Sequence, residues 1–342
     1  MNNTLTFFEK LDILDQVIKQ GPTHEAINKL LNLLNDKMLY RYFFETIDTP
    51  LWIKPLKEAG FFSNPPEKIK KNDFVEFPSW PESQFLARVA SKAPEEVCKI
   101  ILKIPDTNNP RVHEDFIEAA LNMPPDLSVQ IFEKEMKWIK KQHELIFSLP
   151  DKLVKWIKFL AKNGYTEQAL NLTQILLDIS PGLKIKVDIW EYTQAIRDIL
   201  STLIKERNFL KFICSLLEKA VKFDKRNVSK NEDFSFIWRP AIEEHPQNIQ
   251  EDVKNVLVDA VRDAAELLIK ENLAGLEEII AHLESYSYPI FRRIILYLLR
   301  RFSEEAQELI SKYLTDYHLF SDPHFRHEIY PTITESLPIP FA

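Results

Sequence analysis

Glycine is nearly missing from this chain. Five occur in 342 residues, where average usage of about 7% would give about 24. Sheet-based nucleotide enzymes need glycine for tight turns and for close backbone approach to phosphate. The shortage leaves little with which to build such a site, and neither a GxGxxG nor a Walker phosphate loop occurs. A GxSxG turn for a serine nucleophile and an HExxH zinc pair are also missing. Only two cysteines are present, Cys98 and Cys214. Both sit inside apolar helical patterns, which fits small core residues better than a disulfide, redox pair or metal site. No run approaches 18 uncharged apolar residues, so no membrane-spanning helix is expected. The opening MNNTLTFFEKLDILDQ lacks the basic and apolar regions of a secretory signal, and a reducing cytoplasm is the expected location. No segment shows convincing strand alternation.

What is present is helical period. Hydrophobic residues make up 45% and charged residues 28%, enough apolar material for a folded chain. Leu5 to Lys19 reads as a helix stopped at Gly21-Pro22, and Thr23 can cap the next. A third helix covers Lys37 to Ile47, and Asp48-Thr49-Pro50 opens a fourth that ends at Gly60. Residues 61–84 form an irregular, Pro-marked stretch. Beyond it the pattern repeats at an offset of 31. Phe85 falls on Phe116, Leu86 on Ile117, Val89 on Ala120, Pro94 on Pro125, Cys98 on Val129 and Ile101 on Phe132. This is close to the spacing of two-helix HEAT and tetratricopeptide units. The predicted fold is all-α, an α-solenoid or superhelix of stacked helix pairs. Its expected parts are an N-terminal helical bundle (1–60), the irregular loop (61–84), helical repeats (85–223), an irregular connection (224–248) and acidic C-terminal repeats (249–342).

Charge is unevenly spread. Residues 1–132 carry a net of −4, residues 133–230 a net of +7 and residues 231–342 a net of −10. In the basic third, Lys155, Lys158 and Lys162 share one helical face, and Lys137, Lys140 and Lys141 precede them. They offer either a patch for phosphate or a nucleic-acid backbone, or a plain solvated face. Overall acidity weighs against sequence-independent DNA binding as the main task.

Candidate chemistry is sparse. The only histidine cluster lies in DYHLFSDPHFRHEIY, where His324, His327, Glu328 and Asp322 could approach a metal; aromatic packing is the competing reading. Arg292, Arg293, Arg300 and Arg301 form either an anion clamp or ion pairs with the acidic helix Leu276–Glu284. Acidic pairs such as Glu95-Glu96 stand at helix starts, where they complement the dipole. Trp80 and Trp238, the latter followed by Arg239, lie beside prolines on the two irregular stretches. Residue types of this kind dominate interfaces, which makes Trp80, Trp238 and Arg239 the candidate partner surface; the alternative is that the rings plug breaks in the repeat. No catalytic residue, metal or cofactor is expected.

Three phrases, FVEFPSWPESQFLARVA (74–90), FIWRPAIEEHPQN (236–248) and LFSDPHFRHEIYP (319–331), resemble the helical-repeat region of large bacterial NTPases of the STAND class, which serve in anti-phage defence. The resemblance spans roughly residues 60–330. It implies a sensor or scaffold that recognises a foreign protein and passes the signal elsewhere. The chain has no NTPase core of its own, so switching would require a partner or a further portion. The functions expected are therefore a protein-binding helical-repeat scaffold or, alternatively, a nucleic-acid-binding repeat protein using the basic face of 133–230.

Overall fold

Proline opens the helices of this protein. Pro81, Pro94, Pro110, Pro125 and Pro289 each stand at a first helical position, where the missing N–H has no partner to lose and φ is already helical. Polar caps serve elsewhere. Thr6 and Glu9 form a capping box, Thr23 caps through Ala26 N–H, and Asp36 caps through the N–H groups of Met38 and Leu39. Helix ends use the few glycines: Gly60 and Gly164 both have φ of +84°. After Gly164, Tyr165 N–H reaches back to Leu160 O at 2.9 Å, closing a Schellman-type end.

The computed structural model describes residues 5–72, 74–206, 208–224, 233–249 and 252–336. The chain divides into two compact units, Met1–Leu172 and Thr173–Ala342. Unit 1 carries α1 (Phe7–Gln20), α2 (His24–Leu33), α3 (Lys37–Thr46) and α4 (Ile53–Glu58). A hairpin follows, β1 (Ile69–Lys71) and β2 (Phe74–Glu76). Then come α5 (Pro81–Val89), α6 (Pro94–Lys103), α7 (Pro110–Leu121), α8 (Pro125–Lys141) and α9 (Leu149–Lys162), and the division falls within α10 (Thr166–Leu176).

The packing in unit 1 skips one helix at a time. α3 lies on α5, α5 on α7 and α7 on α9, while α6 lies on α8. The 31-residue offset therefore lands in equivalent places. Phe85, Leu86 and Val89 are fully buried on α5, as are Phe116, Ile117 and Ala120 on α7; Ile101 and Phe132 are buried on α6 and α8. Each of these large apolar side chains contributes roughly 1.5–3 kcal/mol by leaving water. Trp156 of α9 is wholly buried, and its Nε1–H donates to Ser128 Oγ of α8 at 2.9 Å. Cys98 and Cys214 are buried free thiols.

The irregular stretch 61–84 holds a feature that strand alternation did not predict. β1 and β2 are three residues each and exposed on both faces, too short for the alternation rule to register. The hairpin stands because its base is clamped by the loop before α7. Thr107 Oγ1 donates to Pro66 O (2.8 Å), Asn108 Oδ1 accepts from Lys68 N–H (2.8 Å), and Asn109 Nδ2 donates to Pro78 O (2.7 Å).

Unit 2 carries α11 (Ile189–Leu203), α12 (Phe209–Phe223), α13 (Ser235–Trp238), α14 (Val253–Lys270), α15 (Leu276–Glu284) and α16 (Pro289–Arg301). The short helices α17 (Gln307–Leu314), α18 (Tyr317–Ser321) and α19 (Arg326–Ser336) complete it. α14 is the central element, packed by α11, α12 and α16, and buried along most of its length. Of the irregular connection expected at 224–248, residues 225–232 lie outside the described residues; the rest is a four-residue helix and a tightly bonded loop. Thr315 and Asp316 separate α17 from α18. Among the described residues no helix is long and apolar enough to cross a membrane.

Candidate functional site

The residues expected to face a partner point inward. Trp80 is 4% exposed, Trp238 7% and Arg239 1%. Trp80 caps α5, and its carbonyl accepts from Ser83 Oγ (2.8 Å), which is also 2.5 Å from Asp115 Oδ2 on α7. Trp238 Nε1–H donates to Asp233 O (2.7 Å), and Lys254 Nζ sits 4.2 Å from the ring centroid. Arg239 donates to Ala241 O (2.6 Å), Ile242 O (2.8 Å) and Asp259 Oδ1 (2.6 Å). A candidate partner surface of Trp80, Trp238 and Arg239 is thus corrected. The Trp80 ring is buried, and the Trp238 indole and Arg239 guanidinium have found the acceptors that burial requires.

The four arginines of α16 are ion-paired, though not with α15 as expected. Arg293 is fully buried and makes a bidentate pair with Glu328, Nε to Oε2 at 2.9 Å and Nη2 to Oε1 at 2.7 Å. Two more of its donors meet Arg239 O (2.7 Å) and Pro240 O (3.1 Å). The phrases 236–248 and 319–331 therefore meet on one guanidinium. Arg300 pairs with Glu243 (3.1 Å), Arg292 with Asp316 (3.9 Å) and Arg301 with Glu266 (4.0 Å). The histidine cluster is divided in the same way. His324 Nδ1 lies 2.7 Å from Asp322 Oδ1, and Glu328, 3.9 Å from His327 Nδ1, is held by Arg293. Among the described residues no three potential ligands gather around a point where a metal could sit.

Unit 2 has an open polar cleft of about 460 Å³ lined by Arg197, Glu244, His245, Asp259, Arg262 and Asp263, among others. Arg262 bonds Asp259 (2.9 Å) and Asp263 (2.7 Å) and donates to Ile242 O (2.8 Å). Burial holds the Asp263 carboxyl above its usual range despite Arg262. A neighbouring recess adds Glu243, Glu266, Tyr297, Arg300 and Arg301. Burial and the hydrogen bond to Glu266 push the Tyr297 phenol up to about 12. Charges of both signs are interleaved, and Arg239, Arg262, Arg300 and Arg301 are each bonded to a neighbouring carboxylate, so the cleft largely neutralises itself.

Unit 1 has a smaller cleft, about 290 Å³, of a different character. Glu67 at the root of the hairpin, Asp106, Thr107 and Asn108 form one side, and Lys134, Lys137, Trp138 and Lys141 of α8 the other. Its floor is rigid. His113 is buried, with Nδ1 2.8 Å from Glu135 Oε2 and Nε2 3.0 Å from Thr107 O, and Trp138 stacks on the ring at 3.8 Å. His113 thereby positions the loop that clamps the hairpin. Lys134 reaches Ile104 O, and burial lowers the pKa of its ammonium. On α9, Lys155 and Lys162 are exposed and Lys158 half-buried.

The one local signal for the hairpin is IKKNDFVE, where Asn-Asp can turn the chain between an apolar and basic triplet, IKK, and an apolar and acidic one, FVE. Ile69 (43%), Phe74 (60%) and Val75 (43%) are exposed there. No protein-family model, no curated protein and no solved structure matches this chain.

Proposed function

We propose that the chain is a non-enzymatic helical-repeat scaffold or sensor that works by binding a protein, in the manner of components of bacterial defence or signalling. The observation that carries this reading is the packing of every second helix in unit 1, with matched residues at an offset of 31 filling the same interior positions. Units that shelter one another's apolar faces in rows form solenoids, and solenoids are used for their extended surfaces. Two of the three phrases behind the STAND resemblance meet on Arg293, which gives them a packing role in this chain. The test is affinity purification of the tagged full chain from its native host, with mass spectrometry of co-purifying proteins, followed by reconstitution from purified components. A partner that reconstitutes at fixed stoichiometry is the expected result. A chain that always returns alone rejects the reading.

A second reading, nucleic-acid binding by the basic face of 133–230, is favoured by the exposure of Lys155 and Lys162 on one side of α9. It requires affinity for an oligonucleotide that falls steeply with salt and drops when Lys155, Lys158 and Lys162 become Glu. Flat or absent binding at low salt sets it aside.

A further inference from the structure

The outer edge of β1 is a strand edge whose direction is fixed and whose neighbours are basic. The hairpin pairs Ile69 with Glu76, Lys70 with Val75 and Lys71 with Phe74. In a two-residue hairpin the pair closing the turn exchanges both hydrogen bonds and the next pair exchanges none. Lys70 therefore turns its N–H and C=O away from β2, and Lys68, two residues earlier, turns its N–H the same way. That N–H is taken by Asn108 Oδ1 at 2.8 Å, so the edge is held at Lys68 by the loop that lines the lysine cleft of α8 and is open from Lys70 onward. Side chains alternate across the hairpin: Ile69, Lys71, Phe74 and Glu76 share one face, Lys68, Lys70 and Val75 the other. Lys71 and Glu76 neutralise each other at 2.5 Å, which leaves one face mainly apolar and the other mainly cationic.

We propose that this edge takes an extended acidic segment of a partner protein as a third strand. Acidic side chains lie over Lys68 and Lys70, apolar ones lie beside Ile69 and Phe74, and one end runs into the cleft beside Lys137 and Lys141. The proposal rests on the partner-binding reading above and names the chemistry of that partner. Two-stranded hairpins are marginal in water and gain from a further strand, and main-chain pairing gives such docking its affinity while side chains give specificity. A peptide is favoured over a nucleic acid by the unpaired backbone groups of Lys70, which match a peptide ladder. Ile69 and Phe74, exposed on the other face of the hairpin, match the apolar side chains that alternate with acidic ones in such a segment, and a phosphate backbone offers nothing to cover them.

The test is fluorescence anisotropy with the full chain and a labelled peptide of about eight residues alternating Glu and Val, a length that covers the strand with overhang. Saturable binding is expected. N-methylation of alternate peptide amides should weaken it about tenfold, the equivalent of one or two lost hydrogen bonds. Lys70→Pro and the double variant K137E/K141E should each do the same, while Lys155→Glu leaves affinity unchanged. The N-methylated peptide leaves the protein untouched, so it decides the matter even where Lys70→Pro loosens the hairpin. Absent saturation, equal affinity for the N-methylated peptide, or tighter binding of an oligothymidine of similar length overturns the proposal. A native partner that stays bound to both K137E/K141E and Lys70→Pro also overturns it while leaving the scaffold reading in place; failure to find any native partner counts against the scaffold reading.

Discussion

Replacing Glu328 with Gln should be among the most damaging single changes in unit 2. Glu328 is 2% exposed and Arg293 0%, and the two share a pair of parallel hydrogen bonds at 2.7 and 2.9 Å. Gln keeps one oxygen as an acceptor but turns an NH2 group toward the guanidinium, so the buried cation loses its counter-charge and retains at most that oxygen and the carbonyls of Arg239 and Pro240. Breaking one side of such a pair costs about 3–5 kcal/mol. With a urea m value of about 2 kcal/mol/M, the unit 2 midpoint falls by about 1.5–2.5 M. Replacing both residues with Met should be milder than the sum of the two single changes, because no charge is left stranded. It is not neutral, since the 239 and 240 carbonyls lose donors worth about 1–3 kcal/mol. The assay is urea unfolding followed by far-UV circular dichroism, with the loss assigned to unit 2 by hydrogen exchange of α14 and α16. A Glu328→Gln loss below about 1 kcal/mol, or strict additivity in the double-mutant cycle, refutes the reasoning.

Further outcomes follow from other buried groups. Burial, partly offset by Ser83, raises the Asp115 carboxyl from 3.8 to about 7; the native state therefore binds this proton more tightly than the unfolded chain does. Its contribution is fully present below about pH 4 and is lost as pH rises through about 7, a change on the order of 4 kcal/mol that Asp115→Asn should abolish. Comparing urea midpoints of the two proteins at acid and alkaline pH checks this, and an unchanged pH slope in the variant contradicts it. His113→Ala should speed hydrogen exchange at residues 66–71 without unfolding α5, because His113 positions Thr107 and, through it, Pro66. Equal exchange rates would show that the clamp holds without it. Burial pushes the thiols of both Cys98 and Cys214 up. A thiol reagent should accordingly leave the native chain unmodified and label both cysteines once urea is added; rapid labelling of the native chain contradicts their placement.

Much of the helical layout was legible because it rests on local rules. Pro94 and Pro125 mark helix starts whichever residues surround them, and the match of Phe85 with Phe116 or Ile101 with Phe132 reflects a burial pattern that recurs wherever helix pairs stack. Trp80, Trp238 and Arg239 were misplaced because the deciding partners are tertiary. Asp259, which holds Arg239, is 20 residues away, and Glu328, which holds Arg293, is 35 away. A proline beside an aromatic ring signals an irregular backbone, and irregular backbone is often exposed; here hydrogen bonds to carbonyls draw it inside. The hairpin escaped notice because its strands fall below the length at which alternation is measurable. It depends on Thr107, Asn108 and Asn109, some 31 to 41 residues further on. The lysine cleft was half legible: Lys137 and Lys141 stood out in the charge count, but nothing in the sequence put the hairpin root opposite them.

The most direct measurement is hydrogen exchange on the full chain, alone and saturated with a protein partner isolated from the native host. Docking on unit 1 should slow exchange at Ile69–Lys71 and in the 106–108 loop, with the buried helices of unit 2 unchanged. Exchange at the hairpin that stays the same in a saturated complex contradicts the account.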